Sequence, residues 1–368
     1  MSKILMVAPK TSTFINFRGD LMKDIRKKGN DIVAVIPEKG YEKFFEENGI
    51  KIRYIGLDKN SYSLFNAYHY YKDLISIMKE EKPDKVFSYT IKPVIFGSLA
   101  AKKAKVSEIY SLVCGLGLLF ASNTLKIRVL RTICGIGYKM AFKANKKVIF
   151  QNQDDIDEFV KRKYVPREKC ELVNGSGVNL EKFKRNKLPK TINFLMVSRV
   201  LKEKGVMEYF EAAKIVKEQY PKVTFTYIGA IDKNKNAINL DTLKPYIDNK
   251  IVEYIPETNT VEKYIEKSSV FVLPSYYREG IPRTLIEATA MGRPIITTDT
   301  PGCRETIQNK NGLFVNTRDA KDLADKMIEL IKKKENLQEM GDKSFELCKE
   351  KFTIDIIDKK MMSIMEVN

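Results

Sequence analysis

Short β-branched, apolar runs alternate with helix-length amphipathic stretches along nearly all of this 368-residue chain, and the alternation breaks off once and restarts. In the first half the strand-like runs are 4–7, 31–36, 52–55, 85–88, 108–112, 148–151 and 170–173. Helical patterns at 20–28, 64–80 and 94–103 lie between them. Strands separated by helices of this length are not hairpin partners; they call for a parallel sheet with crossover helices on its faces. A polar segment, KFKRNKLPK at 182–190, interrupts the pattern and reads as a linker. Strands then resume at 192–197, 224–228, 251–254, 270–273 and 295–298, with helices at 206–218 and 282–291. Two helical stretches close the chain, 320–333 and 337–365, the second with a break near Phe352. The expectation is an α/β protein of two doubly wound, Rossmann-like domains, 1–183 and 190–351, facing a central cleft. Ligands of such sheets bind beyond the carboxyl ends of the strands, so chemistry is sought in the loops that follow them.

Composition removes several classes of function. A chain with 43% hydrophobic residues is not largely disordered. Cys114, Cys134, Cys170, Cys303 and Cys348 are widely spaced with no Cys-x-x-Cys pair, which argues against a disulfide framework or a cysteine zinc site. The single histidine, His69, excludes a His-rich centre, and no metal or other cofactor is expected. No apolar run approaches the roughly 18 residues that span a bilayer, and MSKILMVAP has no apolar leader before it. The expected location is the cytoplasm.

The net charge of +18 is unevenly placed. Residues 1–185 carry 35 Lys and Arg against 20 Asp and Glu, whereas the remainder carries 30 against 27. Such asymmetry points to an anionic surface, a membrane or a nucleic acid. In the stretch 123–147, helical spacing gathers Arg128, Arg131, Lys139 and Lys143 in one sector and sets Leu130, Ile133, Cys134, Gly137, Met140 and Ala141 opposite. A basic amphipathic helix after the apolar run 109–121 suits anionic lipid. The plainer alternative is a surface helix whose apolar side faces its own core. No helix-turn-helix, RNP-like or zinc-finger pattern supports nucleic acid.

The most informative segment is FVLPSYYREGIPRTLIEATAMGRPIITT, residues 271–298. A strand ends, a loop carries Glu279, and Pro282 sits where a helix starts, the position at which its missing N–H is least costly. The first-turn N–H groups near Arg283 and Thr284 suit an anion, and Glu279 and Glu287 are acceptors suited to sugar hydroxyls. Together they describe a nucleotide-sugar. Leu285, Ile286, Ala288, Ala290 and Met291 would bury this helix, which argues against Glu287 being an idle surface acid. A second cluster, Arg199 and Lys204, follows the first strand of the second domain, where two cations can neutralise a diphosphate.

These residues, with FQNQDD (150–155), NGSGVN (174–179), PGCRE (301–305) and TIKPVIFGSLAAK (90–102), resemble the retaining glycosyltransferase family 4 of GT-B fold. Within it the chain is most similar to bacterial enzymes that extend saccharides on undecaprenyl diphosphate. The resemblance implies that Glu287 holds the ribose of UDP and that Glu279 contacts the transferred sugar. Arg199 and Lys204 would bind the diphosphate, with the backbone at Gly280, Ile281, Arg283 and Thr284 completing the anion site. It implies a metal-independent, retaining transfer of a hexose or N-acetylhexosamine from a UDP-sugar to a polyprenyl-diphosphate-linked saccharide. It also implies a peripheral location on the inner face of the plasma membrane and a last helix, 352–368, crossing back to the first domain. The first loop, PKTSTFINFR (9–18), lacks the glycine pair of many members; Phe17, Arg18 and Lys92 become candidate acceptor contacts, Gly115 and Gly117 looser ones. His69, within NAYHYYKDL, reads as structural. A nucleotide-sugar epimerase of the same fold, or a basic nucleic-acid-binding protein, are the alternatives.

Overall fold

The computed structural model describes residues 1–57, 63–121, 124–231 and 237–367. The chain divides into two units, 1–177 with 354–368 and 178–353, so it passes between them at two points. The first unit holds β1 (Lys3–Val7), β2 (Asp31–Ile36), β3 (Lys51–Tyr54), β4 (Lys85–Tyr89), β5 (Glu108–Val113), β6 (Lys147–Phe150) and β7 (Cys170–Leu172). They form a sheet in the order β3-β2-β1-β4-β5-β6-β7, with parallel pairs throughout. The second unit holds β8 (Asn193–Val197), β9 (Thr224–Ile228), β10 (Glu253–Ile255), β11 (Val270–Leu273), β12 (Ile295–Thr298) and β13 (Gly312–Val315). Their order is β10-β9-β8-β11-β12-β13, again parallel. Two doubly wound parallel sheets are what the alternation calls for.

Side-chain alternation along β1 divides the first unit into layers. Ile4 and Met6 pack with Phe14 and Leu21 of helix Thr11–Lys27 and with Ile357 and Met361 of helix Ile354–Ile364. Leu5 and Val7 face the other way, toward Tyr70 and Leu74 of helix Leu64–Glu81 and Ala100 and Ala101 of helix Ile91–Lys103. The last helix therefore packs into the core of the first unit. Local capping fixes where several helices start: Ser63, Thr124 and Asn152 each accept a backbone N–H from three residues on.

Three expectations are corrected. The segment 182–190 is not a free linker: Phe183 lies in the second unit's core, Arg185 pairs with Asp342, and Asn186 accepts from buried Arg293. The unit boundary falls at 177/178 because Val178 is already packed there. Residues 9–18 are not a loop; helix begins at Thr11, which is buried and tied to the Glu38 backbone carbonyl at 3.1 Å through its hydroxyl.

A fourth correction concerns Arg131 on helix Leu125–Ala144; Asn123, first residue of the stretch, lies outside the described residues. The helix's buried side is narrow and built from Gly135, Tyr138, Ala141 and Phe142. Gly135 lets the Tyr164 ring pack close, since a Cβ would lie 2.3 Å from its hydroxyl oxygen and displace it. Leu125, Val129, Ile133, Ile136 and Met140, spaced by four, four, three and four residues, are each more than half exposed and form an outward stripe. Ile133 and Met140 thus face solvent rather than the core, bordered by exposed Lys126, Arg128, Lys139 and Lys143. Arg131 is not among these: its Nε donates to the Leu119 carbonyl at 2.7 Å and its guanidinium covers the Phe120 ring. No helix among the described residues is long and apolar enough to cross a membrane.

Candidate active site

Each sheet reverses its strand order once, between β1 and β4 in the first unit and between β8 and β11 in the second. Loops leaving the carboxyl ends of two such strands turn to opposite faces and open a crevice. In the second unit those loops carry Arg199, Lys204 and Glu279.

The two loops are stitched together by backbone. The Glu203 carbonyl accepts from the N–H groups of Tyr276 at 2.9 Å and Tyr277 at 3.0 Å, and from the Ser275 hydroxyl at 3.2 Å. Gly205 allows the approach: its φ is +77°, and a Cβ there would stand 2.3 Å from the Pro274 carbonyl oxygen. Lys204 is thereby delivered to Glu279, with which its ammonium forms an ion pair. The same carboxylate oxygen accepts from the Ser275 hydroxyl at 3.1 Å. Both side chains of the pair are about seven-eighths buried, at 12% and 13% exposed. Arg199, at the start of its loop, is exposed.

Helix Arg283–Ala290 starts immediately after Pro282, and its positive dipole end lies against this loop. Leu285, Ile286, Ala288 and Ala290 are fully buried, which turns Glu287 inward as well. Glu287 Oε1 accepts from Arg283 Nε at 2.8 Å. Burial pushes its carboxyl above the ordinary range, and the Arg283 guanidinium opposes that. The arrangement is two carboxylates, each held by a cation, on either side of one helix start. It can accept hydroxyl hydrogen bonds at two places and neutralise an anion between them.

A third loop supports the site. Thr298 and Thr300 donate to the Ser275 carbonyl, the second at 3.2 Å. Gly302, at φ +80°, lets its backbone reach Gly280: an added Cβ would fall 1.7 Å from the Gly280 carbonyl oxygen. Cys303 beside it is buried, and burial with the nearby Glu279 carboxylate pushes its thiol up to about 11. The support given by Ser275, Thr298 and Gly302 is absent from the sequence reading. Its one signal was a glycine four residues past a strand whose last residues are threonines.

At the first unit's reversal point, Thr90 follows β4 with φ +67° and ψ 163°, a conformation costly for a β-branched residue and of the kind that gathers at functional sites. Lys92 stands two residues on, half-buried. Gly115 and Gly117, both at positive φ, follow β5 on the neighbouring side. Phe17 and Arg18 do not project from a loop. They lie in the middle of helix Thr11–Lys27, and Arg18 is 2% exposed, its Nε and Nη1 without a hydrogen-bond partner among the described residues. It lies beside Cys114 and opposes the burial that pushes the Asp358 carboxyl up to about 7. His69, expected as structural, is exposed, with its ring edge-on to Phe65.

Two parallel doubly wound units of this topology have the architecture of GT-B glycosyltransferases. A crystal structure of Anabaena Alr3699/HepE in complex with UDP-glucose shares it at TM-score 0.79 and 14% identity, all of both chains being covered. A glycosyltransferase from Rickettsia africae does so at TM-score 0.77 and 20% identity, over 100% of this chain and 98% of that one. Residues 178–346 match glycosyl transferases group 1, and residues 3–152 match the glycosyl transferase 4-like family. By both halves the chain belongs to these glycosyltransferases, and it is an enzyme of that class. It is 29% identical to an N,N'-diacetylbacillosaminyl-diphospho-undecaprenol alpha-1,3-N-acetylgalactosaminyltransferase of Campylobacter jejuni, over 89% of this chain and 88% of that one. It is 26% identical to a UDP-Gal:alpha-D-GlcNAc-diphosphoundecaprenol alpha-1,3-galactosyltransferase of Escherichia coli, over 76% and 72%. Membership of this family sets aside the epimerase and nucleic-acid-binding alternatives.

Proposed function

We propose that the protein transfers a galactose-, N-acetylgalactosamine- or N-acetylglucosamine-type sugar from its UDP derivative to an acetamido-sugar carried on polyprenyl diphosphate, with retention, as a step in bacterial surface-glycan or glycoprotein-glycan assembly. The observation that carries this reading is the pair of cation-held carboxylates, Glu279–Lys204 and Glu287–Arg283, at the reversal point of the second sheet. Glu287 receives the ribose hydroxyls, and the helix start at Gly280, Ile281, Arg283 and Thr284 receives the diphosphate. Arg199 and Lys204 neutralise the charge that develops as the bond from the anomeric carbon to the diphosphate breaks, with no resident metal needed for that task. Glu279 orients the transferred sugar. The acceptor hydroxyl bonds to the same face of that carbon, its proton passing to the departing phosphate oxygen, and UDP leaves. The names of the two relatives support the donor and acceptor classes. Lys92, beside strained Thr90, is assigned to the acceptor.

Calorimetric titration is expected to give selective binding of UDP over GDP and ADP, weakened at least tenfold by Glu287→Ala. Transfer to a lipid-linked acceptor is expected to persist in EDTA. Binding without nucleotide preference, or GDP preferred, overturns the donor assignment.

We infer from the outward stripe on helix Leu125–Ala144 that this enzyme sits peripherally on the cytoplasmic face of a membrane, its apolar residues in the interface and Arg128, Lys139 and Lys143 over anionic headgroups. Each such cation contributes about 1 kcal/mol near an anionic surface. Charge reversal of these three, and separately Ile133→Ser with Ile136→Ser, is expected to abolish flotation with anionic liposomes. Unchanged flotation in both variants refutes the assignment.

A further inference from the structure

The loop that carries Glu279 is tied down by one crowded acceptor. The Glu203 carbonyl has two lone pairs, yet it receives the Ser275 hydroxyl and the N–H groups of both Tyr276 and Tyr277. Three donors sharing it weaken one another, so the side chains of the two tyrosines decide how firmly the loop is held. Each ring meets a cation. The Lys204 ammonium lies 5.4 Å from the centre of the Tyr277 ring. The Arg318 guanidinium lies 4.6 Å from the centre of the Tyr276 ring. Lys204 belongs to the site already described. Arg318 does not: it comes from the turn between β13 and helix Ala320–Lys332, two strands along the sheet from β11.

The charge nearest to this contact is Glu208, in the first turn of helix Val206–Gln219. Its Oε2 is buried without a hydrogen-bond partner among the described residues; burial raises its carboxyl, and Arg318 opposes that. The two form no ion pair among the described residues, and the guanidinium lies on the half-buried Tyr276 ring instead. Asp319, the next residue, caps helix Ala320–Lys332 by accepting the Asp322 N–H at 2.9 Å, which fixes the turn from which Arg318 extends. We propose that Arg318 is a positioning residue for the transfer: from its capped turn it clamps the Tyr276 ring and so keeps loop 274–280 directing Glu279 at the transferred sugar. It touches no reacting atom. The inference rests on the role proposed above for Glu279 and adds a fourth loop, the one after β13, to those that hold it. A cation over an aromatic ring at an exposed site shifts an equilibrium about two- to fivefold, which sets the size of the effect.

The test reads amide hydrogen exchange at Tyr276 and Tyr277 on the full chain. The UDP dissociation constant is measured beside it, with the rate of UDP release from UDP-N-acetylgalactosamine, UDP-N-acetylglucosamine and UDP-galactose. In Arg318→Ala and in Tyr276→Leu, exchange at the two amides is expected to rise, and kcat to fall, about two- to fivefold. The UDP dissociation constant is expected to stay at its wild-type value, because Glu287 and the helix start receive UDP. Arg318→Lys keeps a cation and Tyr276→Phe keeps a ring, and each is expected to restore wild-type exchange and kcat. The double variant, Arg318→Ala with Tyr276→Leu, is expected to be no worse than either single one. Arg318 is exposed, so its variants fold even where Tyr276→Leu does not. Exchange or kcat indifferent to Arg318→Ala, a lysine variant as impaired as the alanine one, or UDP affinity lost in step with kcat overturns the clamp. So does full recovery of the Arg318→Ala loss by Glu208→Gln, which would make the acid the partner of the arginine. Wild-type protein that binds no UDP and releases none from the three sugars overturns the proposed transfer, and with it the task of the clamp, whereas amide exchange still reports whether the ring is held.

Discussion

Replacing Lys204 with alanine is expected to lower kcat about 10²–10³-fold, the usual consequence of removing one preorganised group that meets charge developing in a transition state. The structure gives the variant a second effect that separates mechanism from mere damage. Glu279 is only 13% exposed, so without its ammonium partner it is left as a poorly compensated buried carboxylate. Breaking such a pair from one side costs about 3–5 kcal/mol of stability where the site is dry, and the Ser275 hydroxyl that still donates to the same oxygen trims that figure. Adding Glu279→Gln to the variant removes the orphaned charge. The double variant is expected to regain most of the lost melting temperature and none of the lost rate. If Lys204 only stitches the two loops together, rate and stability recover in step. A Lys204→Ala enzyme within about threefold of wild-type kcat, a difference under 1 kcal/mol in the barrier, removes Lys204 from the reaction.

The parts of this site that were legible in the sequence are those whose chemistry is local. A strand followed by a loop acid, a proline and an amphipathic helix announces a helix start with carboxylates near it, and the eight-residue separation of Glu279 and Glu287 is visible without a fold. Strand identity in the parallel sheets was legible for the same reason: DIVAVI at 31–36 is buried on both faces and reads as a continuous apolar run, and β2 spans the same residues. What was illegible depends on partners distant in sequence. That Lys204 meets Glu279 rather than solvent is decided by the Glu203 carbonyl and by Gly205 against Pro274, 69 positions away. Whether helix Leu125–Ala144 turns its apolar residues to lipid or to its own core is left open by the sequence, because apolar residues occupy more than half its circumference. Hydrophobic periodicity finds the stripe but cannot say which of two apolar sectors the sheet takes. The thin side, with Gly135 against Tyr164, faces inward, and the bulkier residues lie outside. Likewise TSTFINFR carries turn-forming residues at 11–13, yet Phe14, Leu21, Met22 and Ile25 are spaced to bury one helix face, and that burial wins.

Gly302→Ala is expected to be the most damaging single-methyl change near the site. Two costs arise together. Alanine at φ +80° carries the left-handed penalty of about 1–2 kcal/mol, and its Cβ would fall 1.7 Å from the Gly280 carbonyl oxygen, a separation no contact tolerates. The opposing atom is backbone, so it cannot rotate aside as a side chain would. The displacement must be taken by 280 or by 302. Gly280 directly follows Glu279 and lies two residues before the helix N-cap Pro282, whereas segment 300–303 is held by Thr300 and by buried Cys303. A shift of about 1 Å in a positioning segment is enough to lose about 10²-fold in rate, and kcat/KM is expected to fall by at least that factor. Gly29→Ala supplies the control. Its φ is also +80° and a Cβ there meets nothing within 4 Å, so it carries the dihedral penalty alone. Gly29→Ala is expected to lower the melting temperature with activity unchanged, and Gly302→Ala to lower both. Equal activity in the two variants at matched stability would mean that the third loop is packing rather than part of the device that aims Glu279.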